Sequence, residues 1–263
     1  KMKKINTKLK NILKLFGIGK IIKWMFTMLR YPFFLSDLQK FKKLHNNNKQ
    51  RFSLDFIDLY PCVNDKTTNT GFDRHYIFHT AWAARKVREI NPAIHYDISS
   101  SLYFNAIVSA FVPIKFYDYR PATLNLSNLE SGEADLHKLP FKNNSIESLS
   151  CMHVIEHIGL GRYGDPLDYD GDLKAIEEIK RVLTSGGNLL FVVPIGKNII
   201  MYNAHRIYTY NQIISYFLDY TLEEFSLIPD DSQDGTIIEN ASEGVSNNQV
   251  YGCGMFWFKK LSK

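Results

Sequence analysis

The stretch Arg181 to Pro194, RVLTSGGNLLFVVP, constrains the fold most, because it runs from a helix end through a Gly-Gly turn into an unbroken apolar run. Apolar runs without alternation describe strands buried on both faces, as in sheets covered by helices. Upstream, Ser148 to His157, SLSCMHVIEH, reads as an apolar strand ending in His and Glu, and Asp135 to Phe141, DLHKLPF, as an acidic turn before it. A strand, a helix with Asp172 at its N-cap over Leu173 to Leu183, and a second strand give the pattern of a doubly wound sheet. Ligands of such sheets sit at the carboxyl ends of the strands.

A nucleotide-binding first half needs a turn after one strand and a carboxylate after the next. Ala93 to Asp97 is an apolar run entering the turn Asp97-Ile98-Ser99-Ser100-Ser101, and a helical stretch from Leu102 to Phe111 follows. Val112 to Tyr117 is then a strand ending in Asp118, 21 residues after Asp97. That matches the interval of about 20 residues between a phosphate turn and a ribose-binding acid. A helix from Ile77 to Ile90 precedes this half. The helix Thr209 to Phe217 and antiparallel strands Tyr220 to Ile228 and Gln249 to Lys259 close the fold, with residues 229–247 as a long flexible connection.

Charge divides the chain. Residues 1–50 hold 13 Lys or Arg against one acid, Asp37, whereas the remainder holds 19 basic and 26 acidic residues. The net +5 therefore resides in an N-terminal arm, and an acidic remainder argues against nucleic acid as a partner. Ile5, Leu9, Ile12, Leu13 and Phe16, and after Gly17 to Gly19 also Ile21, Ile22, Met25, Phe26 and Leu29, follow helical spacing with lysines between. This predicts a pair of basic amphipathic helices ended by Pro32. Lysines interrupt every apolar stretch, so neither a membrane span nor a signal peptide is expected. Two readings stay open: an arm lying on anionic lipid, or a helical cap on the fold or on a second subunit of a homodimer. The predicted organisation is an arm and linker over 1–50 and a catalytic domain over 51–263.

Motifs for other chemistries fail on context. HVIEH at His153 to His157 has the histidine spacing of a zinc protease motif, which needs both histidines on one helix face, yet an apolar strand precedes it and Gly159, Gly161 and Gly164 follow. Asp168, Asp170 and Asp172 lack the downstream Glu of a calcium loop. Cys62, Cys151 and Cys253 show no paired spacing, so neither a disulfide framework nor a cysteine-based zinc site is expected, and no metal is assigned.

The segments FDRHY at Phe72 to Tyr76, DISSS at Asp97 to Ser101, HVIEHIGLGRYGDPLD at His153 to Asp168 and NAHRIY at Asn203 to Tyr208 together resemble the bacterial domain of unknown function family 268. That family lies within the class I S-adenosylmethionine (SAM) dependent methyltransferases and occurs in surface polysaccharide contexts. The resemblance covers about Tyr60 to Lys260. It implies an α/β fold with a doubly wound, mostly parallel, seven-stranded Rossmann-like sheet, carrying the helical arm. It also implies SAM as cofactor and O-methylation of a sugar or glycan, nucleotide- or lipid-linked, in a cytoplasmic protein peripheral on the inner leaflet.

On that resemblance Asp97, Ser99, Ser101, Asp118, Asp135, Leu136 and His153 would surround the cofactor, with Asp118 toward the ribose and Asp135 toward the adenine. Where the family usually has glycine this chain has Ser99, which must be either ordinary or strained in backbone. His157, then His205, would act as general base, supported by Glu156 and Arg206. His75, Tyr76, Arg162, Tyr163 and Asp165 would form the acceptor rim. Arg206 equally suits pairing with a neighbouring Asp to fix its loop. Two rival functions remain: a non-catalytic SAM-fold module partnering a glycosyltransferase, and a nucleotide-sugar-modifying enzyme using the same pocket.

Overall fold

The computed structural model describes residues 18–46, 51–230 and 236–262. They fall into two compact units, one ending at Gly71 and the other starting at Phe72. In the first unit, α1 (Ile18–Met28) and α2 (Tyr31–Asn46) carry the basic pattern. Pro32 does not end a helix but sits in the first turn of α2, where its missing N–H has no helical partner to lose. Apolar positions 5 to 16 of the expected pair lie outside the described residues. No α1 residue is buried: Ile21, Ile22, Trp24, Met25 and Phe26 are all exposed, as is Leu29 just after it. Among the described residues no helix is long and apolar enough to cross a membrane.

The second unit is built on one sheet. Its elements are α3 (Arg74–Ile90), β1 (His95–Ile98), α4 (Leu102–Val108), β2 (Ile114–Asp118), β3 (Leu129–Glu133), β4 (Ile146–Met152), α5 (Gly171–Val182) and β5 (Leu183–Ile195). After them come the hairpin β6 (Ile199–Met201) and β7 (His205–Ile207), α6 (Tyr210–Tyr216), β8 (Tyr220–Ile228), β9 (Ile238–Glu239), α7 (Glu243–Asn247) and β10 (Gly252–Lys260). The sheet order is β3-β2-β1-β4-β5-β10-β8-β9. Strands β1 to β5 pair in parallel, and β10 is antiparallel to both β5 and β8. The doubly wound, mostly parallel sheet expected from the sequence is therefore present, with the two-residue β9 adding an eighth strand. Its strand order reverses between β1 and β4, which fixes the crevice for a ligand at their carboxyl ends.

Two-residue periodicity splits the core between the faces. In β5, Leu189, Phe191, Val193 and Ile195 join Ile176 and Ile179 of α5 and Ile213 of α6. Leu190 and Val192 face the other way, onto Trp82 and Val87 of α3 and Phe104 and Val108 of α4. Both faces are helix-covered, which is why the β5 sequence reads as continuous apolar.

Several element boundaries differ from the sequence reading. Helix α3 starts at Arg74 because Asp73 caps it, accepting from Tyr76 N. Asp172 is not the N-cap of α5; it lies inside the first turn, buried, and accepts from the Tyr208 hydroxyl at 2.8 Å. The connection after β8 is not structureless, since β9 pairs with β8 and α7 is capped by Ser242. Between β5 and β8, Phe256 of β10 is fully buried, with its ring 4.6 Å from Phe225. Phe256→Ala should cost about 3–5 kcal/mol, as for other buried aromatics, and chemical denaturation would measure it; a loss under about 1 kcal/mol would mean the antiparallel part of the sheet relaxes into the space.

Candidate functional site

The first turn of the crevice is held by a buried carboxylate. Asp97, at the end of β1, accepts from Asn105 Nδ2 at 2.8 Å and from Ser100 N at 3.2 Å, and also from the Ser150 hydroxyl of β4. Burial pushes its carboxyl up to about 6 although all three donors favour the charge. The Asp97 side chain thus braces the turn from behind and does not line the cavity in front. Ser101 is also outside that lining; it precedes α4 and makes no side-chain cap bond. Ser99 is at the surface of the cavity with φ +56°, the left-handed region that glycine favours, so the strained alternative is the one adopted.

A cavity of about 260 Å³ opens over the ends of β1, β2 and β4. Asp118, Asp135, Leu136, Ser99, His153 and His157 line it, as do Tyr76, Tyr163 and Asp165. Asp118 Oδ1 accepts from Arg120 N at 2.7 Å, and Asp135 Oδ1 from His137 N at 2.8 Å. Each acid closes a tight turn with one oxygen, and the two carboxylates therefore stand at fixed positions on adjacent strand ends. Tyr119, Arg120 and His137 complete that side and were not singled out by the sequence.

A second cavity of about 520 Å³ adjoins through shared residues: Tyr76, His153, His157 and Tyr163 line both. His75, Glu156, Arg162, His205 and Tyr251 line only this one. The segment Ile155–His157 is a single short turn, so His153 and His157 do not share a helix face and a protease-type zinc helix is absent at this motif. His157 Nδ1 donates to Ala204 O at 2.6 Å, which leaves Nε2 as the basic nitrogen, 3.8 Å from Glu156 Oε1. Burial lowers the His157 imidazole below its usual value, with Glu156 partly opposing, so the ring is neutral and able to accept a proton near pH 7.

Glu156 is fully buried and also holds His153, whose Nδ1 lies 2.8 Å from Oε1. Burial disfavours the Glu156 charge, but His153 outweighs it and keeps the carboxyl below its ordinary range. His153 itself has φ +57°, which turns its ring back between the two cavities. His75 lies between His153 and Tyr251, at ring distances of 5.5 and 5.0 Å, and burial lowers its imidazole to about 4. His205 packs 4.7 Å from Tyr251 and 6.4 Å from His157.

Three predicted residues fix the loops, Asp165 and Arg162 while also lining a cavity and Arg206 without doing so. Arg206 lines neither cavity; its guanidinium donates to Ile158 O at 2.6 Å and Tyr169 O at 2.9 Å and faces Asp172 at 3.6 Å. It fixes the loop before α5, the alternative its neighbouring acids suggested. Asp165 accepts from Gly159, Gly161 and Tyr163 N and so closes the glycine-rich loop. Arg162 donates to Ala204 O at 2.9 Å and stacks on Tyr163, tying this loop to the β6–β7 hairpin. Tyr251, which lines the second cavity from the turn before the last strand, was not singled out in the sequence because it lies far along the chain.

The sequence profile described as "Caenorhabditis protein of unknown function, DUF268" matches residues 135–243, less than half of the chain. No curated protein matches the sequence. Among solved structures, the YcgJ protein of Bacillus subtilis is 13% identical over 70% of this chain and 99% of its own, with a TM-score of 0.48. The N-methyltransferase NodS of Bradyrhizobium japonicum, in complex with S-adenosylhomocysteine, is 14% identical over 70% and 86%, with a TM-score of 0.47. A Burkholderia thailandensis 1,6-didemethyltoxoflavin N1-methyltransferase with its substrate and S-adenosylhomocysteine is 9% identical over 70% and 79%, with a TM-score of 0.48.

The loop between the cavities depends on Gly159. Its φ is +80° and an added Cβ would stand 2.1 Å from Asp168 O, whereas Gly164, at φ +87°, has open space. Gly159→Ala should cost about 1–3 kcal/mol from overpacking beyond the backbone strain that Gly164→Ala also meets. Thermal unfolding of the two variants measures the difference; equal losses would show that the loop yields at Asp168.

Proposed function

We propose that this protein is a SAM-dependent O-methyltransferase acting on a sugar or glycan hydroxyl. The observation that carries the reading is the first cavity at the reversal point of the strand order, with Asp118 and Asp135 on neighbouring strand ends and a neutral, oriented His157 where it meets the second cavity. The residues suit the cofactor. Asp118 is positioned to accept from ribose hydroxyls, Asp135 to accept from the adenine amino group, and Leu136 to flank the ring. Ser99 takes the left-handed backbone that glycine favours, and its turn would face the methionine part. Bound SAM would supply an electrophilic methyl group.

The chain's own part is to bind, orient and remove a proton. His157 Nε2 would take the proton of an acceptor hydroxyl as that oxygen attacks; the Ala204 carbonyl holds the ring in the tautomer this requires, and the Glu156 carboxylate 3.8 Å from Nε2 would stabilise the imidazolium formed. The second cavity supplies planar rings, Tyr76, Tyr163 and Tyr251, beside Asp73 and Arg162, groups suited to stacking on and hydrogen-bonding a polyhydroxylated ring. The polysaccharide setting rests on the family resemblance.

Calorimetry with SAM tests the reading. Wild type should bind, and Asp118→Ala should weaken binding by about 1–3 kcal/mol through a lost charged hydrogen bond. His157→Ala should keep cofactor affinity within a few fold while lowering turnover about 10² to 10⁴-fold. Wild type that binds neither SAM nor S-adenosylhomocysteine would end the proposal and leave a binding module; binding of a nucleotide sugar instead would favour the rival enzyme.

We further propose that α1 and α2 lie on an anionic membrane surface. Exposed Trp24, Phe26, Leu29 and Phe33 alternate with Lys20, Lys23 and Arg30, a composition suited to the interface. Sedimentation with anionic vesicles should carry down the intact chain, less so as salt rises, because each Lys contributes only about 1 kcal/mol of screened attraction. Salt-independent binding, or none, would return the arm to a packing role.

A further inference from the structure

His75 from the first turn of α3, His153 after β4 and Cys253 at the start of β10 meet within the second unit, with one ligating atom of each lying within 4.8 Å of the others. We propose that these three side chains form a binding site for a divalent transition metal of the zinc class. No reading of the sequence motifs leads there, because the three residues come from separate elements and only one cysteine takes part.

The state of His153 argues for a ligand. Its Nδ1 is committed to the Glu156 carboxylate at 2.8 Å, so Nδ1 keeps a proton and Nε2 is the nitrogen at which a metal ion would take the place of a second proton. That Nε2 is buried and has no hydrogen-bond partner. A buried polar atom left unsatisfied costs about 1–3 kcal/mol, and here it belongs to the residue whose φ of +57° turns the ring toward this point. Carboxylate, imidazole and metal in that order is the usual arrangement around a ligating histidine, the carboxylate fixing tautomer and orientation. Glu156 already occupies the carboxylate's place.

The donor set selects the ion. Thiolate and imidazole together suit zinc and its neighbours, whereas calcium and magnesium require oxygen. Metal–ligand lengths of about 2.0–2.3 Å set neighbouring donors about 3.5 Å apart, so the cluster must close by roughly 1 Å, a change that rotation of the half-buried His75 ring supplies. His79 steadies the approach by donating Nδ1–H to His75 O at 2.6 Å. On binding, the metal–sulfur bond forms as the Cys253 S–H proton leaves to solvent, since burial keeps that thiol protonated beforehand, and the metal–nitrogen bond forms as the His153 Nε2 proton leaves with it. His75 and His153 both line the second cavity while Cys253 lies behind them, fully buried, so a fourth, exchangeable position would face the cavity.

The inference goes beyond the methyltransferase reading and is tested without it. Full-length, tag-free protein is stripped with chelator, desalted under reducing conditions and titrated with Co²⁺. The expected result is saturation at a single ion, with a thiolate-to-cobalt charge-transfer band and the intense visible bands of tetrahedral cobalt, both removed by Zn²⁺. Cys253→Ala should abolish the charge-transfer band with the circular dichroism unchanged, and Glu156→Gln should weaken affinity about 10–100-fold. If Cys253→Ala does not fold, His75→Ala, at the more accessible ligand, takes its place and should lower affinity at least tenfold. Folded wild type without a cobalt spectrum, or an undiminished band in Cys253→Ala or an unchanged affinity in His75→Ala, overturns the proposal.

Discussion

The Asp97 carboxylate is the point on which this architecture turns. Three donors from three elements converge on it: the Ser150 hydroxyl of β4, the Asn105 amide of α4 and the Ser100 amide of the turn itself. It therefore ties the two strands between which the order reverses to the helix that starts beside them. Behind it, His95 spans the Ser148 and Ser150 hydroxyls at 2.8 and 2.9 Å, and burial keeps its imidazole neutral. A buried acid without these donors would be far more costly than an apolar residue. With them, it fixes where the backbone departs from β1, and Ser99 follows in a left-handed conformation that an unbraced serine would leave.

From that anchored turn the site is extended by loops rather than by the sheet. Asp165 gathers three backbone amides of the loop after His157, and Arg206 gathers carbonyls on either side of the entry to α5. Both are charged groups whose hydrogen bonds are spent internally. The consequence is a division between residues that face the cavities and residues that hold those in place. Tyr163 shows the two joined: its ring lies between the Arg120 and Arg162 guanidinium groups, at 4.9 and 5.0 Å, while its amide is held by Asp165.

How much of this was legible in the sequence follows from which interactions are local. The strands β1, β2, β4, β5, β8 and β10 and the covering helices announce themselves by apolar run length and spacing, signals contained within each element. Strand β3, LESGE, carries no apolar run because it lies at the sheet edge and pairs only with β2. Asp118 was readable because it sits where a strand pattern ends, and Asp135 because it opens the DLHKLPF turn. Arg206 and Asp97 were named for this neighbourhood, but whether a charge faces a cavity or a carbonyl depends on burial that spacing does not encode, so for Arg206 both readings stayed open. Tyr251 and Cys253 depend on β10 returning between β5 and β8, a topological event with no local mark.

The same return explains why the centre of the site is a cluster of titratable rings. Glu156 is fully buried, so its charge must be met by a positive group close by. Burial disfavours a charged His153, yet Cys253 and Glu156 reverse that and raise the imidazole to about 10. Burial, with the Arg162 cation beside it, drives His157 the opposite way against the pull of Glu156 and the Ala204 carbonyl. Two histidines four residues apart are thus separated in basicity by what surrounds them: one stands where the protein stabilises a cation, the other where it keeps a free base. The cation-stabilising position is the one β10 completes with a thiol, and a proton or a metal ion answers the same buried charge there.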